Sequence, residues 1–244
     1  RRNPFPYFPN MDIKNMTIIK LRKITGFLVF VFLLTTACKE RVDIAPHEID
    51  PKAEVFFQGA MDIINEYVDV DSTRKAIELI NKAIDIDNMN PDYHGVKAKL
   101  YAEMGQLATA LEIQENAEKI GAVNGEYLLQ LGLFQAAKGD EGAANISFGK
   151  SNDYLKEVLR QYPDSLGAFI NQQAANSLYY GEDSLFMNNV KEIRDRFPDR
   201  LMEIEMTRRV KPHNLIRQIK AIEQDAINEM IMDIDRDLFL NGDE

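Results

Sequence analysis

PDYHGVKAKLYAEMGQLATALEIQENAEKIGAVN, residues 91–124, runs without a gap into GEYLLQLGLFQAAKGDEGAANISFGKSNDYLKEV, residues 125–158. Laid over each other, the two stretches carry small residues and a turn glycine at the same offsets. Gly105 and Gly139 stand 34 residues apart. Ala76, Ala110 and Ala144 keep that step, as do Tyr67 and Tyr101, and Ala98 and Gly132. Residues 57–90, FQGAMDIINEYVDVDSTRKAIELINKAIDIDNMN, fill the preceding period. A fixed period of this length marks stacked supersecondary units, each of which buries its apolar face on a neighbour. Small residues recur where two helices must approach closely, because bulk there would open voids in a densely packed interior. Asp71, Gly105 and Gly139 fall at the turn between helices, where glycine accepts the left-handed conformation that ends a helix. Ala83 and Ala117 mark a further small position, which Ser151 continues.

These residues resemble the tetratricopeptide repeat family over residues 53–200, best in the two middle units. The first unit has Ile64 in place of the small residue on its opening helix, and the chain lacks the tryptophan usual in the family pattern. A fourth unit begins at Pro163, with Ala174 at the close approach, Gly181 at the turn and Pro198 at its end, and with Phe186 where the others have alanine. An insertion precedes it, because the helix before it runs to about Gln161 until Pro163 stops it. The resemblance implies an all-α fold, a right-handed superhelix of about four helix pairs with a C-terminal capping helix in residues 201–244. Pro212 breaks the pattern, and Ile219, Ile222, Ala226, Met230, Ile234 and Leu238 then recur at three- and four-residue steps, one apolar stripe on a final helix over 213–238. A stack of this kind needs a terminal element with a wet outer face, and this helix suits that role.

Before the repeats, Lys20, Arg22 and Lys23 precede an uncharged, mostly apolar run from Ile24 to Ala37. The run is too short for a comfortable membrane span of ~20 residues and suits a secretory signal core. It ends in Leu34-Thr35-Thr36-Ala37-Cys38, which resembles a bacterial lipoprotein signal, although Thr35 stands where that pattern usually has leucine. Residues 16–37 are thus expected to be a signal peptide cleaved before Cys38, the lipid-bearing residue and the chain's only cysteine. No internal disulfide can form. Residues 38–52, charged and with two prolines, read as a linker above the membrane. Residues 1–15 are expected to lie outside the working protein.

The chain has 29 basic and 39 acidic residues, a formal charge of −10. Six basic residues and one acidic residue precede Cys38, which leaves 23 against 38, or −15, for the part that follows. Such a surface repels nucleic acid and anionic headgroups, and nucleic-acid binding is excluded on this ground. Catalysis needs converging polar groups. His47, His94 and His213 are scattered without metal-ligand spacing, and the sequence has neither a nucleophile elbow nor a phosphate-cradling glycine loop. Asp233, Asp235, Asp237 and Glu244 imitate a calcium loop, but Leu238 stands where the sharp turn requires glycine. The reading is a non-enzyme without cofactor or metal.

The family resemblance also implies which residues line the concave groove. The first unit offers Gln58, Met61, Asn65 and Asp69, and the second Lys99, Ala102 and Glu103. The third offers Glu126, Leu129 and Leu133, and the fourth Asn171, Leu178 and Tyr179. One end is polar and the other apolar. The family's clamp for a peptide carboxylate is not matched: only Asn65 and Lys99 correspond, and Val96 stands where asparagine is wanted. Leu129, Leu133, Leu178 and Tyr179 are expected to hold an amphipathic helix or an apolar ligand, with Glu103 and Asn171 fixing its orientation. On this reading Leu133→Asp abolishes capture in a folded domain, and Asp69→Ala matters less.

The functional expectation is a lipid-anchored scaffold of the bacterial cell envelope, an outer-membrane lipoprotein facing the periplasm that binds an envelope protein partner. Two alternatives resemble other lipoproteins with such repeats: an accessory component of solute uptake that binds an apolar ligand, and an outer-membrane assembly factor.

Overall fold

A computed structural model describes residues 47–66, 69–182, 190–200 and 211–241, apart from the side chains of 190, 191, 193 and 230–241. Cys38, the apolar run before it, Tyr67 and Phe186 lie outside the described residues. Among the described residues there are nine α-helices, one 3-10 turn and no strand.

Helix starts follow from side chains that satisfy the first free backbone N–H groups. Asp69 accepts from the Ser72 N–H at 2.8 Å and begins α2, Val70–Ile86, after α1, Pro51–Glu66. Asn90, followed by Pro91 at the first helical position, opens α3, Pro91–Glu103. After α4, Leu107–Ile120, Asn124 accepts from the Tyr127 N–H and opens α5, Gly125–Lys138. Asp140 does the same for α6, Glu141–Gln161, and Ser165 for α7, Leu166–Tyr180. A short α8, Val190–Arg196, and a 3-10 turn, Pro198–Arg200, precede the long α9, Pro212–Asn241. Gly121, Gly139 and Gly181 end their helices in the left-handed conformation. Asp71, read from the sequence as a turn residue, instead lies in the first turn of α2, because the Asp69 carboxylate two residues earlier caps the helix.

Neighbouring helices pair in chain order: α1 with α2, α3 with α4, α5 with α6, and α6 with α7. The periodic small residues sit inside these pairs. Ala76, Ala98, Ala110, Ala144 and Ala174 are all buried, as are Ala83, Ala117 and Ser151. One close crossing is at Gly132, where a Cβ would come within 2.5 Å of the Phe148 ring and 3.2 Å of the Ala144 carbonyl oxygen. Ser151, standing where other units have alanine, donates its hydroxyl to the Gly125 carbonyl at 2.7 Å and so ties α6 to the start of α5.

The core has no single centre. One apolar cluster spans α1, α2 and, on α3, Tyr93 and Leu100, and a larger one runs from α3 to α7 and on to Phe197, Leu215 and Ile219. Tyr101 packs against both. Between units, α3 lies beside α5 and α5 beside α7, so the opening helices form one layer. α9 does not close the end of this stack as a terminal cap would. It packs on α5, α3 and α7 together, crossing three units, because its stripe meets the apolar face these helices share.

A buried histidine gives this core a pH dependence. His94 is buried on α3, and its Nε2–H donates to the Asn88 carbonyl at 2.8 Å. Burial, aided by Lys97, lowers its pKa below the usual 6.5. The neutral ring therefore contributes stability that is present above the unfolded value and is lost as pH falls through the folded one. Acidification below about pH 6.5 is expected to lower the denaturation midpoint, and His94→Gln to flatten that part of the profile. Urea titrations of parent and variant across this range check it.

Candidate functional site

The residues expected to line the groove fall into three environments. In the first unit Met61 is half-buried against the Phe57 cluster, and Gln58 and Asn65 are exposed. Asp69 is the cap of α2, so Asp69→Ala removes a helix-starting hydrogen bond and is no neutral control.

In the middle units the face is closed. Leu129, Leu133 and Leu178 are buried in one cluster with Leu215 and Ile219 of α9. Leu133→Asp would therefore put a carboxylate into apolar core, which makes it a destabilising change and not a probe of a folded groove. Tyr179 does not join the other three. One helical step turns it away from Leu178, onto α6, where its ring lies 3.0 Å from the place a Cβ on Gly149 would take. Its edge meets Tyr180, with ring centroids 5.0 Å apart.

The polar groups at this face are also buried. Lys99 Nζ and Glu103 Oε1 are 3.8 Å apart, with side chains 7% and 12% exposed. They occupy successive turns of α3, and Ala102, beside Glu103 in sequence, is buried in the large apolar cluster. Glu103 Oε1 accepts no hydrogen bond. Burial pushes the Lys99 pKa down and the Glu103 pKa up, each partly countered by the other's charge. On α7, Asn171 Nδ2 donates to Glu126 Oε1 at 3.0 Å, and the buried Asn171 Oδ1 has no hydrogen-bond partner. α3 and α7 thus combine apolar filling with a Glu103 carboxylate and an Asn171 amide that are only partly satisfied.

The parts that sequence reading did not supply come from α9. Lys138 at the end of α5 pairs with Glu223 at 3.0 Å. At the α3–α4 turn, Gly105 has φ +75°, and a side chain there would run into the Ala226 methyl and meet the Ile222 carbonyl at 3.4 Å. The stripe of Ile219, Ile222 and Ala226 was the available signal, but a stripe says that one side is buried and not against what. Among the described residues no group of three or more His, Cys, Asp or Glu side chains is placed to hold a metal ion. No helix among them is long and apolar enough to cross a membrane. No protein-family model matches the chain.

Proposed function

We propose that this chain is a lipid-anchored scaffold of the bacterial cell envelope, built as a superhelix of tetratricopeptide-like helix pairs, which binds a protein partner on the layer of opening helices. The observation that carries the reading is the α3–α5–α7 layer, whose shared apolar face already accommodates an amphipathic helix, α9. A layer of parallel opening helices gives a partner helix a long apolar groove, a recurrent mode of recognition. In the first unit, Gln58 and Asn65 of α1 are exposed. Filling of the middle of the face by Leu215 and Ile219 weighs against a cavity for an apolar solute there.

Anchorage is assigned to Cys38 from its place at the end of the apolar run. Several acyl chains hold lastingly, at ~0.8 kcal/mol for each buried methylene, whereas a single chain holds only marginally. The charge of −15 after Cys38 then keeps the domain off an anionic bilayer surface and available to partners. Cys38→Ser is expected to move the protein to the soluble fraction or leave it unprocessed. Maturation and membrane fractionation at the parental level would contradict the anchor. Crosslinking and pull-down from native envelopes through the parent protein tests partner binding, and recovery of no specific protein would contradict it.

A further inference from the structure

We propose that α9 is a displaceable plug: it holds the α3–α5–α7 face shut against a partner helix of like make-up, and partner binding requires its release. The inference rests on the scaffold reading above and adds to it the partner's chemistry and the control of access.

The seat is built by other parts of the fold. α3, α5 and α7 are each tied into their own helix pairs, and α9 lies on the layer they make. Its hold is one-sided and tapers along the helix. Leu215 and Ile219 are buried, Ile222 and Ala226 are half-buried, and Ile227 is 40% exposed. Arg217, Lys220, Gln224 and Asp225 face water. A helix held by one stripe has a smaller opening free energy than the helices packed on several sides beneath it.

Two features fix its register. Gly105 lets the α9 backbone pass close to the α3–α4 turn at Ile222 and Ala226. The Lys138–Glu223 pair, with side chains 38% and 21% exposed, clasps α9 to the end of α5. A third feature works against closure. The Lys99–Glu103 pair of α3 is largely buried, 3.8 Å apart, and Glu103 Oε1 receives no donor. Apolar surroundings serve the Glu103 carboxylate poorly, since burial of an ion pair is repaid only when its remaining hydrogen-bonding capacity is met. Opening lets water reach Glu103, and a partner that brings a donor there satisfies it. The closed form is thereby kept within reach of a competing ligand.

The seat defines the competitor. It is an amphipathic helix with large aliphatic residues at i and i+4, as Leu215 and Ile219 are, and an acidic residue at i+8 to meet Lys138. It carries a small residue at i+11 to pass Gly105, and a hydrogen-bond donor directed at Glu103. Because α9 is tethered, it competes at an effective concentration in the millimolar range, and a free helix sees an affinity reduced by the fraction of open protein.

The test uses the full chain in detergent and a fluorescent peptide of residues 212–229. By hydrogen exchange, amides of α9 are expected to lose protection at least ~10-fold faster than those of α5 and α6. Exchange of α9 only at the rate of α5 would make it an integral part of the core and overturn the proposal. In titration, Ile219→Ser, which weakens the plug and leaves the seat untouched, is expected to bind the peptide at least ~10-fold more tightly than the parent. No gain, in a variant whose α5 amides stay protected, also overturns it. If Ile219→Ser fails to fold, the exchange measurement on the parent decides alone. Either failure leaves the scaffold reading untouched, because its envelope pull-down asks only whether a partner is recovered and not how α9 responds.

Discussion

Glu103→Leu is expected to cost the folded domain about 3–5 kcal/mol, although leucine suits both a helix and an apolar neighbourhood. The carboxylate is the ion-pair partner of Lys99, 3.8 Å away, and both side chains are nearly closed off from water. Removing it leaves the buried ammonium without that countercharge, and desolvation already disfavours the charged form of Lys99. The companion variant, Lys99→Met with Glu103→Leu, removes the pair as a unit. It is expected to match the parent or exceed it by about 1–4 kcal/mol, because the desolvation of both ions disappears with their attraction. Urea midpoints of the three proteins check the pattern. A single variant as stable as the parent would show that the pair is hydrated in solution and the face is open there.

The second large effect is at Gly132. Leucine there is expected to destabilise the domain at the upper end of about 1–3 kcal/mol, since even a Cβ meets the Phe148 ring at 2.5 Å. The neighbouring Ala144 carbonyl, 3.2 Å from the same point, is backbone and yields little. Glu112→Leu, at an exposed position on α4, is the control and is expected to be near neutral. Equal midpoints for the two would mean that α5 and α6 do not cross at Gly132.

How far the chain itself announced this architecture depends on whether the forces were local. The period of small residues located the crossings, because a close approach excludes bulk, and Ala98, Gly132, Ala144 and Ala174 are all buried. Asn90, Asn124, Asp140 and Ser165 mark helix starts by a bond to an N–H two or three residues on, which is also legible locally. The seat of α9 was not. Its stripe is evident, but which face receives it depends on Gly105, Leu133 and Lys138, which lie far back along the chain. For the same reason Lys99 and Glu103 read as groove-lining positions, and they form a largely buried ion pair instead. Tyr179 was misplaced by one helical step, a rotation that repeat offsets carry over poorly at the end of a helix. The candidate site was thus legible as a face, and its occupant was not.

The measurement that bears most directly on the scaffold reading is photocrosslinking in native membranes from two exposed positions, Asn65 on α1 and Glu112 on α4. Asn65 is on the opening helix of the first unit, and Glu112 on the second helix of the next. A photoreactive residue at Asn65 is predicted to give a discrete adduct with one envelope protein, which the same residue at Glu112 does not give. The same products from both positions, or no adduct from Asn65, would contradict partner binding on this layer.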